Sequence, residues 1–548
     1  MRSGSLPLLL IILVVPVLIT LAPSNATGQA GAQAVPGRTA MMAAGTVYRP
    51  QFSATPPAVS SAQLAAAEAQ MRLSDRGWAA RPGPRILSPA APLPPGADVE
   101  PSRAIATPPN TFTVFKSQVV NGAPAAYTAN VNSPAAAQAG MFVWLTHNRY
   151  AARSINGGSN WTYVSPYADF PAFCCNQDAI YDRRRDVFIW SRQGNYSTLT
   201  HQNQIKISVS VDNGATWCGY VLTPKNVNTL WVESYFDSPQ IALSNNYLYW
   251  TANLFDNSGP FPVFSRMVLF RWPLDAMRTC TIGFSYSWWS KPDGWSWAPV
   301  QGADTTMYIG DNYATGSNTD FYLAVQPESS TVLTGYIKTI PNFTFTNHNA
   351  HCPVLAFGYR NPCARADQRI TAGWIGRRYT GTTVDGTIGF FWNVAEGGGY
   401  PYPYVEAALY SQSTLARIGR PAIASQYGAW FYAAAAPNVS GHVGLSLFYF
   451  ISNDEPRWYA GISDDYSGMG PIPPFPLDIV RLATSLDPPA TDEWGDYVRV
   501  RPFNPSGTLW VATGFTSDAR SNYPISVPRF AIFGRARDQR SYNRWFNK

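Results

Sequence analysis

The chain is poor in charge. Only 13% of its 548 residues are Asp, Glu, Lys or Arg, against about 25% in an average domain. Disordered segments and coiled coils need more charge and fewer rings, so both classes are excluded. Histidine is scarce, with 5 in all. No His-Glu-x-x-His stretch, Gly-x-Ser-x-Gly elbow or phosphate-binding glycine loop occurs. Beyond Leu21 no run is apolar enough to cross a bilayer. The net charge of +7 is modest and spread along the chain. It permits weak attraction to acidic polymers and does not mark a nucleic-acid partner.

Turn formers and large rings are abundant instead: 46 Pro, 42 Gly and 19 Trp. Turns must be frequent, the rings need burial, and long helices do not dominate. The length fits roughly two to four domains, or one large all-β domain.

Residues 1–30 read as an address. Arg2 precedes an apolar run from Leu6 to Leu21, interrupted by Pro7 and Pro16. Ser24 and Ala26, or Gly28 and Ala30, have the spacing a signal peptidase accepts. The expectation is a cleaved secretory signal rather than an uncleaved anchor, and a secreted or cell-envelope protein with no stable membrane span. In an oxidising compartment the 6 cysteines favour disulfides. Cys352 and Cys363 flank a short loop and are the readiest pair; Cys218 with Cys280 is the next. The adjacent Cys174 and Cys175 would either pair or stay free.

Residues 31–110 are rich in Ala and Pro and suit a linker or a wrapping arm, with helix-forming composition over Ala62–Leu73. From 111 to 548, short aromatic and β-branched runs alternate with Gly, Asn, Pro and Asp turns, as in an all-β domain. A loose repeat opens on Asp178, Asp237, Asp304 and Asp496, the first three 59 (178 to 237) and 67 (237 to 304) residues apart. Further units fit around Thr371–Asn393 and Ala422–Tyr432. Long-period repetition of short strands predicts a β-propeller of six or seven blades, seven favoured. The competing architecture is a two-sheet sandwich with a second domain.

Ser210-Val211-Asp212-Asn213-Gly214-Ala215-Thr216-Trp217 is the sharpest local pattern, and Ser154-Ile155-Asn156-Gly157-Gly158-Ser159-Asn160-Trp161 is a degenerate copy. In each, the Asp or Asn side chain is suited to accept bonds from its own turn. Gly158 or Gly214 supplies positive φ, and Trp161 or Trp217 becomes a wedge between strands. These octapeptides match the Asp-box, and the chain resembles the Asp-box (BNR-repeat) propellers of the sialidase-like superfamily. Cys174-Cys175-Asn176-Gln177-Asp178 and Trp494-Gly495-Asp496-Tyr497 resemble its exported members of uncharacterised role. The resemblance implies boxes on the outer rim, with ligands elsewhere.

In a propeller the leading residues of the repeats lie near one channel mouth. Asp178, Asp237, Asp304 and Asp496 would then converge to hold sugar hydroxyls, bind a structural calcium, or supply an acid and a base. Otherwise each caps its own strand. No catalytic cofactor is implied. A sialidase also clasps a carboxylate with three arginines and uses a Tyr–Glu nucleophile pair. This chain departs from that pattern, since no Arg occurs between Arg103 and Arg149. Arg149 and Arg153 read as surface residues. Of the downstream arginines, Arg369, Arg499 and Arg501 are candidate ligand contacts, and Arg377 and Arg378 match no clasp by spacing. Tyr404 and Glu406 share one strand face and could imitate the Tyr–Glu pair. Arg183-Arg184-Arg185 reads as a solvated turn, and Arg535 to Arg544 as a plain terminus. His348, His351 and Cys352 suggest zinc only if Cys352 is not in a disulfide. Two functions follow: a monomeric extracellular glycan- or partner-binding module at the channel mouth, or a sialidase-like glycoside hydrolase. The missing early arginine disfavours sialic acid itself.

Overall fold

The computed structural model describes residues 32–79, 89–93, 97–99, 108–120, 132–280, 283–312, 317–344, 346, 350–353, 361–380, 383–452, 454–467, 475–487, 494–495, 497–519 and 524–546. The signal segment 1–30 and Asp496 lie outside them. Seven antiparallel sheets follow one another along the chain. Their inner strands are Ala135–Ala139, Phe173–Asp182, Ser234–Leu243, Ala298–Pro299, Ile370–Thr380, Gly428–Pro437 and Val500–Pro502. Each inner strand touches the next, and Val500–Pro502 touches Ala135–Ala139, so the ring closes as a seven-bladed propeller. Blade 7 is completed by an early strand: Phe112–Val119 pairs with Pro524–Arg535. Closure leaves no sheet edge between the first and last blades.

Aromatic wedges fill the spaces between blades. Trp144 of blade 1 lies 5.1 Å from Trp190 and 4.7 Å from Trp217, both of blade 2. Gly514 of blade 7 leaves room for the Trp458 indole of blade 6, which a Cβ would meet at 2.2 Å. Burying rings of this size between sheets gives the propeller much of its stability.

Both octapeptides occupy turns between the third and outer strands of blades 1 and 2, with one hydrogen-bond scheme. Ser154 Oγ donates to Asn156 Oδ1 and accepts from Gly158 N–H, and Asn156 Oδ1 accepts from Asn160 N–H. Ser210 and Asp212 repeat this with Gly214 and Thr216. Gly158 and Gly214 have φ of 86° and 73°. Trp161 packs on Phe530 of blade 7 and Trp217 on Trp144 of blade 1, so each turn pins its blade to the preceding one.

The N-terminal arm runs backwards around the rim. Gln33–Pro36 adds a fifth strand to blade 4, Arg38–Met42 to blade 3 and Thr46–Tyr48 to blade 2. Ser53 then bridges to Tyr163 of blade 1. Helix Ser61–Ala79 follows, longer than the expected Ala62–Leu73. It opens on a capping box in which Ser60 and Gln63 exchange side-chain-to-backbone bonds. Residues 97–99 finally dock where blade 5 meets blade 6, through Val99 N–H to Ala424 O and Trp430 Nε1–H to Val99 O.

The disulfides are Cys174–Cys175, Cys218–Cys280 and Cys352–Cys363. The second ties the outer strand of blade 2 to the connection between the third and fourth strands of blade 3, and Gly45 of the arm lies directly against it. No helix among the described residues is long and apolar enough to cross a membrane.

Three expectations need correction. Asp304 does not open an inner strand; it lies in the turn between Ala298–Pro299 and Thr306–Asp311, because the unit read there is the second and third strands of blade 4. Ala422–Tyr432 straddles the outer strand of blade 5 and the inner strand of blade 6. The arginine runs are not simply solvated. Arg185 bonds Asp275, Asp182 and the Asn245 carbonyl, tying blade 2 to blade 3. Arg153 lies 3.5 Å above the Phe52 ring of the arm.

Arg535 is buried between Asp464 and Asp478 of blade 6, at 2.6 Å from each. Burial by itself would raise the Asp464 carboxyl, but Arg535 outweighs it and holds the group below its ordinary value. That contribution is fully present above the unfolded carboxyl pKa of about 4 and is lost as pH falls through the depressed folded value. Arg535→Met leaves two buried carboxylates unpaired and is expected to cost about 3–5 kcal/mol. Denaturant titration measures this, and the gap to wild type should shrink below about pH 4 as the carboxyls protonate. Deleting residues 32–48 uncovers the outer strands of three blades, and light scattering should report aggregation of the otherwise folded ring.

Candidate functional site

Inner strands begin at one mouth of the channel, here the upper, and end in their first turns at the lower. Several begin with irregular backbone. The pairing register of blade 3 shifts between Asp237 and Gln240, and Ser238 between them has φ of 55°. Blade 6 shifts between Phe431 and Ala434, with Tyr432 also at 55°. Bulges re-aim side chains, and here they turn residues of the strand starts toward the axis. Buried asparagines of neighbouring blades support them: Phe236 N–H donates to Asn203 Oδ1 and Tyr432 N–H to Asn393 Oδ1.

The upper mouth narrows to a cleft lined by Asn176, Ser238, Gln240, Arg369, Tyr497 and Arg499, among others. Asp178 closes it from below. Its Oδ2 accepts from Arg499 Nε at 2.8 Å and its Oδ1 from Arg501 Nη2 at 3.0 Å. One carboxylate thus faces two buried guanidiniums, and the trio carries a net positive charge. Burial, reinforced by the like charge of Arg499, brings Arg501 down to about 10 against the pull of Asp178. It stays charged at neutral pH. Arg499 also stacks 4.0 Å over Tyr497, whose hydroxyl donates to the Gln177 carbonyl.

Arg369 approaches from the chain entering blade 5. Its Nε donates to Asp367 Oδ1 at 3.0 Å and its Nη1 to Ser238 Oγ at 2.8 Å. An amide relay joins blades 2 and 3: Asn176 Nδ2 donates to Gln193 Oε1, and Gln193 Nε2 to Asp237 Oδ1. The set offers fork-shaped donors beside carboxylate acceptors and rigid amides. It can engage neighbouring hydroxyls or an oxyanion in fixed orientation.

The structure therefore brings together Asp178, Asp237, Arg369, Arg499 and Arg501, from four blades. Asp304 lies at the lower mouth. Tyr404 and Glu406 are on the third strand of blade 5, away from the channel. Glu406 is fully buried and bonds Arg420 through both oxygens, at 2.5 and 3.0 Å. Burial pushes its carboxyl up to about 7, against the pull of Arg420. Arg420 also donates to the carbonyls of Pro92 and Asn342, so this pair fastens the arm to the propeller. The box residues Ser154, Asn156, Gly158, Trp161, Ser210, Asp212, Gly214 and Trp217 are on the rim, remote from the axis. His351 faces Glu396 at 2.9 Å and Cys352 is disulfide-bonded. Among the described residues no group of three or more metal-ligating side chains converges.

Sequence reasoning missed Asn176, Gln193, Ser238, Gln240, Asp367 and Tyr497. Asn176 and Tyr497 stood within the quoted phrases around Cys174-Cys175 and Trp494-Gly495. Nothing in the sequence marks Gln193, a second-strand residue, as a channel neighbour.

Solved structures align with this chain only at low similarity. An α-L-arabinanase of Penicillium chrysogenum aligns at TM-score 0.36 and 10% identity, over 78% of this chain and 99% of its own. An α-L-arabinofuranosidase of Fusarium graminearum gives 0.36 and 9%, over 78% and 99%. A sialidase of Trypanosoma rangeli gives 0.32 and 11%, over 67% and 56%. No protein-family model and no curated protein matches the sequence. Scores this low add nothing to the architecture already read from the seven sheets.

Asp178→Ala strands two buried guanidiniums and is expected to destabilise the protein by about 3–5 kcal/mol. Asp304→Ala, on an exposed turn, should leave the melting temperature unchanged. Calorimetric melts of both variants check the contrast.

Proposed function

We propose that the protein is an exported propeller that binds an extracellular glycan at the upper channel mouth. The observation that carries this is the pair Arg369 and Arg499 lining the upper cleft, with Asp178 and Arg501 joined to Arg499 beneath them. Paired hydroxyls of a saccharide both donate and accept, and a guanidinium beside a carboxylate answers both needs. The partners hold these groups before any ligand arrives, which lowers the ordering cost of binding. The three disulfides suit an oxidising extracellular setting.

A second reading, hydrolysis of a glycosidic bond, has one observation in its favour: Asp178 and Asp237 project from adjacent inner strands, and glycosidases use paired carboxyl groups. Asp178 already accepts from two arginines through its two oxygens, which favours an orienting role over attack on or protonation of a substrate. Binding is therefore preferred.

A glycan array followed by calorimetry on the mature protein tests both. Under the binding reading a saccharide ligand is found, Arg369→Ala weakens it at least about tenfold, and a panel of chromogenic α- and β-glycosides is not turned over. Turnover abolished by Asp237→Asn would establish the hydrolase instead. Failure of every glycan in both assays would remove the glycan reading.

A further inference from the structure

The lower mouth is a different environment. Six blades surround a funnel of about 300 Å³, within the range of small-molecule sites. Above the funnel the channel offers about 20 Å³ at mid-height and about 20 Å³ in the upper cleft, each room for about one water. The funnel is thus separated from the upper cleft by the Asp178–Arg499–Arg501 trio.

Its walls are largely apolar, with Ile180, Leu243, Ala303, Pro437 and Pro502 contributing. Arg501 also lines it, and Arg501 Nε is buried without a hydrogen-bond partner. An unmet guanidinium donor in a water-poor site is costly, and an anion there would relieve it. At the rim, Arg183 and Arg184 are exposed, and among the described residues their guanidinium groups have no hydrogen-bond or ion-pair partner, in contrast to Arg185 beside them. Of the two rim carboxylates, Asp182 is taken by Arg185 and by the Arg184 backbone N–H. Asp304 is the second lining carboxylate, and Asp186 of the same turn bonds the Tyr181 hydroxyl.

We propose that this funnel is a second binding site, for a small organic anion with an apolar body, such as a carboxylate or sulfonate on an aliphatic or aromatic frame. The head group sits against Arg501, the body against the apolar wall, and Arg183 and Arg184 steer the anion inward. The funnel shares Arg501 with the glycan reading, and Leu243, which lines the funnel and not the upper cleft, separates the two.

The test uses the full mature protein with two probes, octanoate and 8-anilinonaphthalene-1-sulfonate, and the neutral control octanamide, followed by calorimetry and fluorescence. Both anions should bind, more weakly as salt is raised, and octanamide at least about tenfold less tightly than octanoate. Arg183→Glu combined with Arg184→Glu should weaken both anions about tenfold, and Arg501→Met should abolish their binding. Should Arg501→Met fail to fold, Leu243→Trp fills the funnel without touching the trio and should also exclude both probes. Absence of anion binding, equal binding of octanamide, or retention of affinity in the rim and Leu243→Trp variants would overturn the proposal. Glycan binding measured on Leu243→Trp reports the upper mouth separately.

Discussion

The pairing of Phe112–Val119 with Pro524–Arg535 is the constraint on which the molecule depends. Seven twisted sheets set side by side form an open arc with two raw edges, and an arc has no enclosed axis. Once this early strand completes blade 7, the last inner strand is pressed against the first. Arg499 then meets Asp178 across 321 residues of sequence. Ring closure and the polar trio are one event seen at two radii.

The arginine excess on the axis shapes both ends of the channel. A lone buried carboxylate between two guanidiniums keeps the centre polar, narrow and positive, where a propeller of uniformly apolar inner strands would close as a dry plug. The upper end surrounds this charge with amides and hydroxyls, and the lower end with proline and aliphatic side chains. One source of field therefore serves two chemically different environments.

The architecture was largely legible in the sequence. Alternating aromatic runs and the octapeptides at Ser154 and Ser210 are local signals, because their physics lies within one hairpin. The channel was legible only where a residue followed the repeat: Asp178 and Asp237 lie on inner strands, the position the repeat implied. Asp304 did not, because the inner strand of blade 4 is too short to carry the pattern, and the reading locked onto the next hairpin. Tyr404 and Glu406 failed for a related reason. Alternation shows that two side chains share a face, but not which strand of the blade bears them. Arg420, which decides what Glu406 does, lies across an outer strand and gives no periodic sign of it. The amide relay through Gln193 was invisible because it crosses between blades.

The arm has a consequence for how the molecule is put together. Its strands precede every blade in the chain, yet they lie along edges belonging to blades 4, 3 and 2, which are made much later. A segment that leaves the ribosome first must remain unseated until its distant partners exist, and contacts so far apart in sequence form slowly. The Ala- and Pro-rich stretch between the arm and blade 1 is suited to that wait, since it can stay extended and soluble. The arm precedes every blade in sequence and is the last to find its place.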